Sequence, residues 1–208
     1  MPLQKVSVSK LTFQAATSAR WPDLETLFGE RGACGGCWCM YWRVSRKEFD
    51  AKRGESNKKA LKKIVKSEIV PGIIAYAGGK PIGWCAVQPR ESYPVLSGSR
   101  ILKPVDDREV WSIVCQFILA PYRRQGISVK LLKAAVKHVK AHGGSIVEGY
   151  PTDPTKDQPA AFVWTGLAAA FLEAGFEEVA RRSATRPIMR FVISTPKKSN
   201  NTAHTRGI

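Results

Sequence analysis

Nowhere does this 208-residue chain approach the ~18 consecutive apolar residues that a membrane-crossing helix needs. A membrane is therefore not expected among its partners. Residues 1–8 carry no hydrophobic signal core, so secretion by that route is not expected either. Cysteine is sparse: five in all, three of them crowded into Cys34-Gly-Gly-Cys37-Trp-Cys39. Without a signal peptide, that pattern implies reduced thiols and a cytoplasmic setting. Acidic residues are few, 17 against 33 Lys and Arg, which leaves a net charge of +16. Such an excess suits an anionic partner: nucleic acid, an acidic membrane surface or a phosphorylated cofactor. It is equally what solvated helix faces produce. Much of it sits at 58–66 and beyond 196, where the aromatic interleaving of a single-strand binding surface is missing. Internal repeats are absent as well.

What is present reads as a folded domain. Hydrophobic residues make up 44% of the chain, enough for one core. The spacing predicts a strand at 6–14, a helix at 18–28 with Pro22 in its first turn, a Gly/Cys/Trp loop at 32–43, and helices at 45–52 and from 56. A hairpin follows, 72–77 and 80–87, turned by Gly78-Gly79. After a Ser/Pro/Gly-rich excursion at 90–105, the apolar run 110–119 reads as a central strand buried on both faces. The strongest helix is 127–142, with Leu131, Leu132, Ala135, Val136 and Val139 on its inner face and Gly143-Gly144 stopping it. A strand at 145–150, a proline-rich loop at 151–159, a short helix at 166–174 and strands at 176–180 and 187–193 complete the order. Residues 1–194 are expected to form the domain, and the polar tail 195–208 to be disordered.

The most informative stretch is Phe117-Ile-Leu-Ala-Pro-Tyr-Arg-Arg-Gln-Gly-Ile-Ser-Val-Lys-Leu-Leu132. A strand runs into a turn with two arginines and a glycine, then into an amphipathic helix. Unpaired N–H groups at a helix start carry the positive end of its dipole, and Gly126 lets a ligand come close. Arg123, Arg124 and Lys130 add charge, so the turn is a candidate pyrophosphate cradle. Its spacing is neither Gly-x4-Gly-Lys-Ser/Thr nor Gly-x-Gly-x-x-Gly. It resembles the acyl-coenzyme A loop of the GNAT superfamily of N-acetyltransferases, Arg/Gln-x-x-Gly-x-Gly/Ala, which here reads Arg123-Arg-Gln-Gly126-Ile-Ser128. Phe171-Leu-Glu-Ala-Gly-Phe176 resembles that superfamily's Tyr-x-x-x-Gly-Phe. The segment from Gly36 to Arg43 is similar to a Cys/Trp-rich stretch of a bacterial subgroup.

The resemblance, over about residues 5–193, implies an α/β (α+β) fold: a GNAT-type mixed central sheet, mostly antiparallel, with a splayed central strand pair flanked by about four helices. It implies acetyl-CoA as cosubstrate, no metal, and acetyl transfer to a primary amine of a small molecule or protein, by direct transfer in a ternary complex. Main-chain groups of Phe117, Ile118 and Leu119 would bond the pantetheine amides. Arg123, Arg124, Gln125, Gly126, Ile127, Ser128 and Lys130 would hold the pyrophosphate, and Phe171 would sit at the position of the usual acid, a tyrosine. The glutamate that some members use as base aligns with Ser112, so Glu109, Ser112 and Tyr150 are the catalytic candidates. Trp38, Tyr41 and Trp42 would wall the acceptor side, or pack as core. Cys34, Cys37 and Cys39 could bind zinc as thiolates or supply a reactive thiol, but no histidine lies near them in sequence for a fourth ligand. The acceptor amine and the oligomeric state, including a homodimer, stay open. The alternative is a basic nucleic-acid-binding or regulatory module that keeps the fold without catalysis.

Overall fold

Two adjacent glycines set the first hairpin. Gly78 and Gly79 take φ of 55° and 79°, the region glycine enters without cost. They turn β2 (Gly72–Ala77) into β3 (Lys80–Pro89). The computed structural model describes residues 3–67, 69–156, 158–159 and 162–193; the tail at 195–208 lies outside them. The remaining strands are β1 (Thr12–Ala15), β4 (Trp111–Ile118), β5 (Ile146–Gly149), β6 (Glu177–Arg181) and β7 (Pro187–Val192). All seven form one sheet in the order β1-β2-β3-β4-β5-β7-β6. Every neighbouring pair is antiparallel except β4 and β5, which run parallel.

Six helices flank the sheet among the described residues, rather than about four: α1 (Trp21–Phe28), α2 (Arg46–Ala51), α3 (Glu55–Lys66), α4 (Pro94–Ser97), α5 (Ile127–Ala141) and α6 (Ala168–Glu173). The added one, α4, is a single turn inside the 90–105 excursion, too short to leave a periodic signal. The first strand is shorter than expected. Val8–Lys10 forms a 3-10 turn, and the start of the chain bonds elsewhere: Gln4 N–H to the Pro121 carbonyl at 2.7 Å and Val6 N–H to Gln125 Oε1 at 3.1 Å. None of the described helices is long and apolar enough to cross a membrane.

Two cores lie on opposite faces. Trp21, Leu24, Leu27 and Phe28 of α1 and Leu61 and Val65 of α3 bury one face against Trp84 and Val114. On the other, α5 lays Leu131, Leu132, Ala135 and Val139 on Ile82, Ile113 and Val147, with Phe171 of α6 beside them. These α5 positions recur at i, i+1, i+4 and i+8, the stripe of an amphipathic helix. Its last turn carries Lys140, a cation at the negative end of the dipole.

His138 packs against His142 and Trp111, with ring centroids 4.1 Å and 6.0 Å away. Burial, then the His142 charge, pushes its pKa from 6.5 down to about 4. An unfolded chain takes this proton near 6.5 and the folded chain only near 4. The contribution is therefore complete above the unfolded value and is lost as pH falls through that window. Melts at roughly pH 7 and roughly pH 5 should show a smaller drop in Tm for His138→Gln than for the wild type. Equal drops would assign the acid sensitivity to other groups.

Candidate active site

Parallel pairing of β4 with β5 covers only Trp111↔Val147, Ser112↔Glu148 and Ile113↔Gly149. Two features end it. Opposite β3, Val87 faces Ile113 and Ala86 faces Cys115, so Val114 is an extra residue, a bulge that bends β4. On β5, Pro151 follows Tyr150 and has no N–H with which to continue the ladder. Past Ile113 the two strands part, and the gap between them holds the Trp164 carbonyl, which accepts from Gln116 N–H at 2.7 Å.

The main chain of β4 alternates between β3 and this gap. Leu119 N–H donates to the Ile82 carbonyl at 3.0 Å, on the β3 side. By the period of two, Phe117 points the same way, while Gln116 and Ile118 turn to the gap. Of the three strand residues expected to offer main-chain bonds there, Ile118 alone does so, and Gln116 joins it. The Gln116 side chain is buried, accepts from the Ser128 hydroxyl, and leaves Nε2 without a partner among the described residues.

Beside the gap stands the start of α5. Gly126 is its N-cap, at φ 73° and ψ 5°, and no side chain caps the helix. The first amides, Ile127 and Ser128 among them, are therefore available to an anion. Arg124 and Lys130 are exposed. Arg123 turns inward, donating from Nε to the Ile118 carbonyl at 2.8 Å. Gln125 departs from the expected role: its amide ties the chain start down, bonding Val6 N–H at 3.1 Å and the Gln4 carbonyl at 2.9 Å. The Ile127 side chain is core, at 1% exposure. Phe171, fully buried, packs edge-to-face on Phe176 at 5.0 Å. Its ring lies against Gly149 and Gly166, where any Cβ would collide with it.

The aromatic residues of the N-terminal loop divide. Trp38 is core, 3% exposed, against Trp21 at 6.0 Å and Phe28 at 5.4 Å. Tyr41 and Trp42 are half-buried and meet Trp164, with ring centroids 5.2 Å and 6.0 Å apart. That third aromatic gave no signal in the sequence, because it reaches the cluster from the loop after β5.

The catalytic candidates are not brought to the gap. Ser112 and Tyr150 have no exposed surface. The Tyr150 hydroxyl donates to Glu148 Oε1 at 2.6 Å, and Ser112 Oγ lies 2.9 Å from it. Burial, then the Glu148 charge, holds the phenol well above its usual pKa. Tyr150 is thus a member of a closed network rather than a proton donor to the gap. Glu148, 1% exposed in its side chain, is clamped by Arg90 at 3.1 Å and Arg190 at 2.7 Å. Arg190 also holds Asp106 at 2.7 Å, and bonds from Arg190 and then Arg108 keep that carboxyl well below its usual range. Glu109 is exposed at the rim of an open cleft of about 250 Å³ lined also by Arg90, Asp106, Glu148 and Arg190. It precedes Val114 by five residues, roughly 16 Å of extended chain at about 3.3 Å per residue. Sequence reasoning missed Glu148, although an acid inside an otherwise apolar strand demands a buried cation.

The three clustered cysteines point to different surroundings. Cys34 is exposed, Cys37 half-buried and Cys39 buried. The Cys39 sulfur accepts from Trp84 Nε1 at 3.4 Å. The neighbouring Cys115 thiol, helped by the Arg43 charge and opposed by burial, holds the Cys39 thiol below its ordinary pKa. Burial pushes Cys37 up to about 11. Among the described residues no group of three or more His, Cys, Asp or Glu side chains is placed to hold a metal ion.

The fold has clear relatives among solved structures. A GNAT-family acetyltransferase from Streptococcus agalactiae is 11% identical and superposes with a TM-score of 0.54 over 92% of this chain and 100% of its own. A Listeria monocytogenes GNAT-family acetyltransferase, 6% identical, covers 88% of this chain and 95% of its own at 0.55. YncA of Salmonella typhimurium, a putative acetyltransferase solved with acetyl-CoA, is 11% identical and covers 90% and 96% at 0.52. Among curated proteins no sequence relative matches. The family model described as Acetyltransferase (GNAT) family matches residues 38–164, a span running from the aromatic loop through β4, the Gly126 turn and α5 to Trp164. The chain belongs to that family, and is an acyltransferase of GNAT type.

Proposed function

We propose that this acyltransferase moves an acetyl group from acetyl-CoA to a primary amine of a small molecule or protein, by direct transfer while both are bound. The observation that carries this reading is the pairing of a strand edge with an uncapped helix start. The gap-side edge of β4 at Gln116 and Ile118, bonded here to the Trp164 carbonyl and the Arg123 side chain, lies beside the start of α5, which opens at Gly126 with free amides and the cations Arg124 and Lys130. An arm rich in amides that ends in a pyrophosphate fits both at once. The buried, unpartnered Nε2 of Gln116 fits it too, since an orphan donor at that depth costs about 1–3 kcal/mol until a carbonyl meets it. Bound acetyl-CoA would supply an activated thioester whose thiolate leaves.

The chain's own residues bind and orient. Gln116 and Ile118 fix the arm, the amides of Ile127 and Ser128 with Arg124 and Lys130 hold the phosphates, and Phe171 closes the floor of the gap against water. With Ser112 and Tyr150 sealed and Glu109 distant, rate enhancement rests on placing a neutral amine beside the thioester and on main-chain donors at its oxygen. Tyr41 and Trp42 wall the acceptor side.

Calorimetry with CoA, followed by thiol release from acetyl-CoA across a panel of primary amines, tests this. One CoA per chain, and thiol release that appears only with an amine and is matched by an acetylated product in mass spectrometry, are expected. Absence of CoA binding at roughly millimolar ligand, about −4 kcal/mol, would overturn it.

A further inference from the structure

The edge of β4 that faces the gap is already bonded. Gln116 N–H donates to the main-chain carbonyl of Trp164 at 2.7 Å. Trp164 sits on a strap, residues 162–167, that returns across the mouth of the gap after β5. The strap is fastened at several points. Thr152 N–H donates to the Gly166 carbonyl at 2.8 Å, Arg186 Nη1 to Thr165 Oγ1 at 2.7 Å, and the Trp164 ring packs on Tyr41 and Trp42. Gly166, at φ 89°, lies so near that a Cβ would press on Gln116 Oε1 and the Phe171 ring. Glycine at that place lets the strap enter the wedge.

A carbonyl on the Gln116 N–H is also what an amide-bearing arm would present there. Two acceptors cannot share one well-aligned N–H on the same side. We infer that residues 163–166 occupy the seat of the acyl-CoA arm, and that the arm binds by displacing them, with Gln116 N–H exchanging the Trp164 carbonyl for an amide carbonyl of the arm. This rests on the acyl-CoA reading above. One hydrogen bond is given up and one gained, so what opposes binding is the burial of Thr165 and the packing of Trp164. Affinity falls by the fraction of chains whose strap is closed. The same movement strips Trp164 from Tyr41 and Trp42, the proposed acceptor wall. Donor binding thereby uncovers the acceptor surface, which imposes an order: acyl donor first, amine second.

Hydrogen exchange on the full chain, with and without saturating CoA, reads this directly. Amides of 162–167 should exchange several-fold faster with CoA bound, while the Gln116 amide stays slow because it only changes partner. In parallel, Trp164→Ala should bind CoA about tenfold more tightly, ~1.4 kcal/mol, and Trp164→Phe, which keeps a ring in place, should resemble the wild type. If CoA binds wild type and Trp164→Ala equally and leaves exchange of 162–167 unchanged, the strap lies outside the arm's path and the inference falls. Failure of both chains to bind CoA overturns the acyl-CoA reading itself, and loss of binding in folded Trp164→Ala alone overturns this inference. Should Trp164→Ala not fold, the wild-type exchange experiment decides alone.

Discussion

Glu148→Ala should lower stability by about 3–5 kcal/mol, the cost of removing one partner from a buried ion pair. At roughly 2–4 °C per kcal/mol for a chain of this size, that is a fall in Tm of about 6–20 °C. Two guanidinium groups would be left in a low-dielectric interior, Arg90 at 9% and Arg190 at 3% side-chain exposure, with main-chain carbonyls, the Tyr150 hydroxyl and Asp106 as partners. The Tyr150 hydroxyl would lose its acceptor as well. Glu148→Gln keeps the shape and one acceptor, and should lie between wild type and alanine. Denaturation of the three chains tests this ranking. If glutamine proves as stable as wild type, the carboxylate charge is not what holds this end of the sheet together.

Gly126→Asp should weaken CoA binding at least tenfold, ~1.4 kcal/mol or more, while the chain still folds. At φ 73° a side chain adopts a strained backbone, which costs about 1–2 kcal/mol and less for Asp or Asn. Space is not the obstacle, since a Cβ there meets nothing within 4 Å. The added carboxylate would face the phosphates at the positive end of α5. Gly126→Asn carries the same strain without the charge, so the gap between the two variants isolates electrostatics. Asn and Asp binding CoA alike, at low and high salt, would remove the phosphates from this turn.

Legibility in the sequence followed distance along the chain. The α5 stripe, the Gly78-Gly79 hairpin and the turn at Gly126 are local patterns, and the structure places all three where periodicity and glycine put them. The beginning of the chain escaped because its partners, Pro121 and Gln125, lie more than a hundred residues away. The Glu148 network joins β3, β5, β7 and the loop before β4, and no window of sequence contains it. Trp164 and Gln116 meet only because β5 ends early at Pro151. The turn at Gly126, made by consecutive residues, was therefore readable. The interior of the gap, made by four separate segments, was not.

The Val114 bulge has a consequence that is one of counting. Before it, even-numbered residues of β4 face α1, as Ser112 and Val114 do. After it the odd ones do, as Cys115 and Phe117 show by joining the α1 core while Ile118 joins that of α5. The strand thus changes reading frame at a single codon's worth of chain. Excising Val114 would leave Cys115 to Ile118 on their present faces and opposite their present β3 partners, since Ala86 and Val87 already pair across it. What would vanish is the bend. The parting of β4 from β5 is, in that sense, owed in part to one surplus residue.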